Sequence, residues 1–251
     1  MTARPALEIA VTSPAGARAA RESGADRVEL CTALELGGLT PSAALVEAVA
    51  EQGLPVQVLV RCRPGDFVHD AEELALMAAD VRSVVASGAA GVVIGALTAD
   101  GALDTAAIAR LAEAARATGR PVDITLHRAI DQSADPVAGA ALLPALGLTR
   151  VLTSGGAPTA ARGRAVIAAM VAAAPGVEVM AGGGVRLADI PALTASGVAA
   201  VHLSAKTRAP RRPGGAWVPL GAGGTSAEQD THFVTDPVVV AQARRALEAA
   251  G

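Results

Sequence analysis

Val122, Ile124 and Leu126 alternate with Asp123, Thr125 and His127. That period of two predicts a strand with two unlike faces, one apolar and one ending in an imidazole. The chain then delivers Arg128 and Asp131. Short Val/Ile/Leu runs of the same kind recur at 7–11, 27–31, 56–61, 91–95, 150–154, 177–181 and 199–203, which with 122–127 predicts eight strands. Between them lie Ala-rich segments that close on a glycine: Gly24, Gly53, Gly88, Gly119, Gly147, Gly176 and Gly197. A glycine there reads as the left-handed cap of a helix handing over to a strand. Helix starts repeat as well. Ser13-Pro14, Thr40-Pro41, Asp135-Pro136 and Asp236-Pro237 each set a capping side chain before a proline at the first helical position. Further helices are predicted over 71–87, 105–118, 159–173 and 187–196.

Eight β-then-α units predict a TIM (β/α)8 barrel, a single domain over residues 1–251. An open doubly wound sheet uses the same alternation. The count of eight, and a polar set at the C-terminal ends of the strands, favour the barrel. The stretch 205–231 is rich in Gly, Pro and Arg and is too long for a simple connection, so it reads as a lid, an oligomer contact or a disordered loop.

Strand parity then sorts side chains between lumen and helix layer. With Leu7, Ile9 and Val11 facing the helices, Glu8 faces in. The same reasoning turns Glu29 and Cys31 inward from strand 2, Arg61 from strand 3, His127 from strand 5, and His202 and Ser204 from strand 8. Charged groups are seldom buried without partners. One reading is an internal ion network of Arg61 against Glu8 and Glu29. The other is chemistry, because strand C-termini are where barrels of this kind carry it. Two Glu and two His would suit a divalent ion such as Zn²⁺ or Mn²⁺. A metal-free acid–base pair with Arg61 on an anionic substrate is a second option. Cys31 as a soft ligand for Cu(I) is a third. Parity puts Cys62 on the other side of strand 3.

Glycine-rich loops add an anion signal. Gly182-Gly183-Gly184 follows strand 7 and opens a helix, Ser154-Gly155 follows strand 6, and Ser204 ends strand 8. Loops after strands 7 and 8 commonly form a phosphate site, although a glycine run can equally be a tight turn. Lys206 is the single lysine. It invites a Schiff-base reading, but its place beyond strand 8 fits a solvated charge better. His69 and His232 read as surface residues.

Composition narrows the partners. Aromatics are 1% of the chain, with Trp217 the one tryptophan, which argues against single-strand nucleic-acid binding by stacking. Net charge is −3 and no basic run exceeds Arg211-Arg212, so neither nucleic acid nor an anionic membrane is an expected partner. No apolar run reaches the 18 or so residues of a membrane span, and no N-terminal apolar leader is evident. Two cysteines do not make a disulfide framework. A soluble, cytoplasmic protein with no nucleotide cofactor is the expectation.

Several motifs in order resemble the CutC copper homeostasis protein family from end to end. They are Gly24-Ala25-Asp26-Arg27-Val28-Glu29-Leu30-Cys31, Gly37-Gly38-Leu39-Thr40-Pro41-Ser42, Gly65-Asp66-Phe67, Thr125-Leu126-His127-Arg128-Ala129, Arg150-Val151-Leu152-Thr153-Ser154-Gly155 and Met180-Ala181-Gly182-Gly183-Gly184-Val185. The resemblance implies a TIM barrel that is cytoplasmic, copper-binding and a homo-oligomer (dimer or tetramer), with Cys31 as the candidate copper ligand. Cys62 departs from the pattern, standing where many members have a proline. Lys206 does not match a family feature.

Two functional expectations follow. The resemblance implies copper homeostasis. The residues themselves suit an isomerase- or lyase-type enzyme acting on a small phosphorylated or carboxylated compound. In that reading Arg61 and Arg128 hold the anion, Glu29 or His127 moves a proton, and a metal is optional.

Overall fold

A computed structural model describes residues 4–210 and 232–250. The eight apolar runs become eight parallel strands that close into a barrel. β1 (Ala6–Val11) pairs with β2 (Arg27–Leu30), and the order continues through β3 (Val56–Leu59), β4 (Gly91–Ile94), β5 (Asp123–Leu126), β6 (Arg150–Thr153), β7 (Glu178–Ala181) and β8 (Ala200–Leu203). β8 then pairs back onto β1, with Glu8 opposite both Arg27 and His202. The TIM barrel expected from the pattern is the fold, and the alternation of faces explains why. Each strand's outward residues join one continuous apolar cluster with the helices, while its inward residues fill the lumen.

The helices start largely where the caps predict. Ser13 caps α1 (Pro14–Glu22), Asp135 caps α5 (Pro136–Leu142), and Asp236 accepts from Val238 N at 2.9 Å to open α8 (Pro237–Ala250). α3 (Ala71–Ala86) opens on a capping box of Asp70 and Glu73, and α4 (Thr105–Arg116) on Asp104. Three starts differ. α2 (Ala43–Ala50) is capped by Ser42, not Thr40. Thr40 is occupied elsewhere, since its Oγ1 accepts from Arg61 N at 2.9 Å and pins the β2–α2 loop to the end of β3. α6 (Arg164–Ala173) starts later than residue 159, because Ala160 N is drawn to Gly183 O at 2.9 Å. The predicted helix over 187–196 is a 3₁₀ turn, Leu187–Asp189, followed by the five-residue α7 (Ile190–Thr194).

The stretch expected to be irregular from residue 205 begins instead with β9 (Lys206–Arg208), antiparallel to β10 (Phe233–Thr235). Lys206 lies with its Nζ 4.3 Å from the Phe233 ring centroid, so its charge rests on an aromatic face. Residues 211–231, with Trp217 and the Arg211-Arg212 pair, lie outside the described residues. Among the described residues no helix is long and apolar enough to cross a membrane.

The N-terminal end of the lumen is closed by ions rather than by apolar side chains. Arg27 Nε donates to Glu8 at 2.6 Å, Arg150 Nε donates to Glu178 at 2.7 Å, and Arg27 and Arg150 reach Glu178 and Asp123 at 3.4 Å. Gln57 completes the ring against Asp123 at 3.3 Å. Above this floor two small apolar clusters, Cys31–Leu59–Val93 and Leu152–Met180–Ala200, fill the lumen on opposite sides.

Candidate active site

A cavity of about 240 Å³ opens at the C-terminal ends of the strands. Glu29, Arg61, His127, Arg128, His202, Gly183, Gly184 and Ser204 all line it, as parity and the loop motifs anticipated. Glu8 lies beneath, wholly buried. Cys31, Ser154, Gly155 and Gly182 do not line it. Phe67 does, and sequence reasoning left it out of the site. Its ring stands 4.8 Å from the His127 ring, with the Arg61 guanidinium 4.9 Å from its centroid. The available signal was that one of only two phenylalanines sits in the Gly65-Asp66-Phe67 motif.

The ion network of Arg61 against Glu8 and Glu29, one of the two readings of the lumen, does not form among the described residues. Glu8 takes Arg27 instead, through Oε2, and takes His202 Nδ1 at 2.9 Å through Oε1. Arg27 was legible by parity as a neighbour of Glu29 on the same face, two residues away, and was passed over. Arg61 spends its guanidinium on backbone: Nη1 donates to Leu36 O and Gly38 O, and Nη2 to Gly65 O at 2.7 Å. Its Nε is buried with no partner, and it makes no ion pair among the described residues. Among the described residues this is a buried cation in a cavity wall without a counter-ion, a state that costs free energy until an anion arrives.

His127 is the second incomplete donor. Its Nδ1 accepts from Ala129 N at 3.1 Å, so Nε2 carries the proton, and Nε2 is buried without a partner. Burial, with the charges of Arg61 and His69, pushes its pKa down to about 3. At that value the ring is neutral at physiological pH, with its proton on Nε2.

The titratable trio lies opposite. Burial raises Glu8, but the His202 hydrogen bond and charge and the Arg27 charge outweigh it and hold Glu8 at about 2. Burial lifts Glu29, opposed by the His202 charge and assisted by the Glu8 charge, to about 7. Burial lowers His202, but the charges of Glu29 and Glu8 and the Glu8 hydrogen bond more than compensate, and its pKa is raised. His202 Nε2 is 3.9 Å from Glu29 Oε2. Carboxylates of opposite protonation preference on one imidazole make an acid–base unit poised near neutral pH. Glu8, Glu29 and His202 also have the donor atoms of a metal cluster. His127 is not among them, so the four-ligand set of two Glu and two His is not assembled among the described residues.

Arg128 is held for a different purpose. Asp131 accepts from Arg128 Nε at 2.7 Å, and Ser154 Oγ accepts from its Nη2 at 2.8 Å. Asp131 also receives Thr153 Oγ1, Ser154 N and Gly156 N. Ser154 and Gly155, expected to bind an anion, are thus consumed in bracing Asp131: Gly155 N donates to Thr153 Oγ1 at 2.8 Å. Gly183 has φ +95°, and a Cβ there would sit 2.8 Å from Arg128 Cζ. Only glycine lets the strand-7 loop lie flat against the guanidinium. The amides of Gly183 and Gly184 donate to no protein group within the described residues. They follow a strand, not a helix start, because α7 begins only at Ile190.

Cys31 is 1% exposed, packed on Leu59 and Val93, and burial with the Glu29 and Glu35 charges pushes its thiol up to about 12. Cys62 is not beside it in that cluster. His69 is corrected outright: its side chain is 0% exposed, not a surface group. It was misplaced because a loop histidine next to Asp70 has no periodicity to reveal its burial.

Fold and site together define a closed (β/α)8 barrel with a polar cavity at the C-terminal mouth, lined by donors that lack partners. Residues 6–207 match the CutC family model, and the chain belongs to the CutC family. It is 42% identical over 214 residues to a family protein CutC of Klebsiella pneumoniae (strain 342), covering 85% of this chain and 81% of that one. It is 46% identical over 204 residues to a family protein CutC of Xylella fastidiosa (strain Temecula1), covering 80% and 75%. The crystal structure of a CutC from Streptococcus agalactiae, described as a copper homeostasis protein, superposes with a TM-score of 0.72 at 29% identity, covering 80% of this chain and 98% of that one. The thiamine phosphate pyrophosphorylase of Pyrococcus furiosus, at 15% identity and a TM-score of 0.60, shares the fold alone.

Proposed function

We propose that the protein is an enzyme of the isomerase or lyase kind that moves a proton on a small phosphorylated or carboxylated compound. The observation that carries this is Arg61, a buried guanidinium in the cavity wall with an unpartnered Nε and no ion pair among the described residues. Arg61 Nε and His127 Nε2 would receive a developing oxyanion, which preorganised donors stabilise without reorganisation. Arg128 and the amides of Gly183 and Gly184, with Ser204, would hold the anionic group. Glu29, at about 7, would take or return the proton, with His202 fixing its charge state from the Glu8 side. No metal is required for these steps.

The test is solvent exchange. Purified protein is incubated in D2O with a panel of small phosphorylated and carboxylated carbonyl compounds and followed by proton NMR. One compound should lose a C–H signal at a rate that Glu29→Gln lowers by about 10²-fold or more, within the usual range for a general base. If no compound exchanges, and Arg61→Met does not weaken binding of any of them, the enzyme reading fails.

A second reading carries over the copper homeostasis described for the Streptococcus agalactiae relative. On its side is Cys31, two residues beyond Glu29 on the same face of the lumen. A lone protonated thiol packed on Leu59 and Val93 is a poor Cu(I) ligand, which prefers thiolate. Cu(I) titration of the wild type and of Cys31→Ala separates the two: tight binding lost in the variant favours copper. A cytoplasmic location and a homo-oligomeric assembly, implied by the resemblance, belong to this proposal and not to the geometry.

A further inference from the structure

The cysteine that departs from the family's pattern has neighbours of its own, outside the cavity. Cys62, directly after Arg61, stands with His69 and Glu73, and one ligand atom from each lies within 4.8 Å of the others. Cys62 and His69 lie in the β3–α3 loop and Glu73 in the first turn of α3.

His69 is the telling member. Its side chain is wholly buried, and Nε2 has no partner. Its one polar contact among the described residues, Nδ1 to Glu73 Oε2, is 3.3 Å. That is long for a charge-assisted hydrogen bond, which runs to about 2.7–2.9 Å. It is the separation expected of two ligand atoms on one tetrahedral ion with bonds of about 2.0 Å, roughly 3.3 Å. A thiol, an imidazole nitrogen and a carboxylate gathered in this way offer a three-atom donor set for a cation. Arg63 bonds both Glu73 oxygens, through Nε and Nη2, and Asp70 N donates to Oε2 at 3.1 Å, which keeps the carboxylate ionised. Arg63 is itself partly exposed and also reaches Asp66, so it can shift outward when a cation binds.

We propose that Cys62, His69 and Glu73 form a binding site for a zinc-class divalent ion, with water in the fourth position. The donor set decides the class. Sulfur, imidazole nitrogen and carboxylate oxygen all belong to zinc's usual ligands, whereas carboxylate is a poor ligand for Cu(I) and thiolate a poor one for Mg²⁺ or Mn²⁺. The ion would clip the β3–α3 loop to α3. That loop places Arg61 and Phe67 on the cavity wall, so metal at this site would stiffen one side of the cavity without touching a ligand in it.

The full-length protein, stripped with a chelator and titrated with Co²⁺ alone, reports the site through the near-ultraviolet charge-transfer band of a cobalt–thiolate bond. The band should appear at one ion per chain and be displaced by Zn²⁺. It should be absent in Cys62→Ser, require at least tenfold more Co²⁺ in His69→Ala, and persist in Cys31→Ser. Zn²⁺ should raise the melting temperature of the wild type and of Cys31→Ser but not of Cys62→Ser, with circular dichroism confirming that each variant folds. Metal held by Glu8, Glu29 and His202 would give no thiolate band. No band in the wild type, or a band that survives Cys62→Ser, overturns the proposal.

Discussion

Glu29 shows how burial, with the charges of its neighbours, can prepare a residue for chemistry. Its carboxyl is raised from 4.5 to about 7 while Glu8, on the other side of the same imidazole, is held at about 2. The two therefore act on stability in opposite pH ranges. Glu8 is depressed, so its contribution is present above pH 4.5 and is lost as pH falls through about 2. Glu29 is raised, so its contribution is full below pH 4.5 and is lost as pH rises through about 7. Glu29→Gln should remove the second dependence. Relative to the wild type, the variant should gain up to about 3 kcal/mol between about pH 5 and about pH 8, read from urea midpoints at the two pH values. An unchanged difference would mean that Glu29 ionises normally. The identity of Glu29 as an inward group was legible from parity. Its pKa was not, because that depends on Glu8 and His202, which lie 21 and 173 residues away in the chain and meet it only in the closed barrel.

At the level of elements, the connection after β5 is the best-braced part of the mouth. Asp131 collects Arg128, Thr153, Ser154 and Gly156, so it joins the β5–α5 connection to the end of β6. Asp131→Ala would leave several of those donors unpaired and free Arg128. A loss of about 2–4 kcal/mol is expected, the cost of a few unmet buried hydrogen bonds, together with weaker binding of inorganic phosphate. Urea denaturation and phosphate titration of the same preparation check both. The strand pattern and the Asp135-Pro136 cap were readable here, because period and capping are local. The role of Ser154 and Gly155 was misread: a hydroxyl and a glycine after a strand look the same whether they serve a ligand or a neighbouring aspartate. Likewise Thr40-Pro41 has the form of a helix start, but Thr40 is taken by Arg61, two residues past β3.

Across the whole molecule, the lumen is an electrostatic column. The ion ring at its N-terminal end touches Glu8, Glu8 touches His202, and His202 approaches Glu29 at the cavity. Solvation grades the links. Arg27 serves a carboxylate that is wholly buried, whereas the partners of Arg150 are nearly half exposed. Arg27→Met should therefore cost about 3–5 kcal/mol, as for a buried pair broken on one side. Arg150→Met should cost only about 1–2 kcal/mol, since water can take over for Glu178 and Asp123. Equal losses in urea denaturation would contradict the column.

What the sequence determined by itself was the alternation: eight short two-faced strands, most of the helix caps between them, and hence the barrel and the sign of each inward residue. These follow from local sterics and the period of two, which act within a few residues. Tertiary structure alone decided which inward groups pair. Glu8 chose Arg27 over Arg61, Arg61 was left with backbone carbonyls and a free Nε, and His69 was buried beside Cys62 and Glu73. Pairing depends on stagger between strands and on the path of the loops, so the incomplete partners that point to function become visible only once the ring is closed.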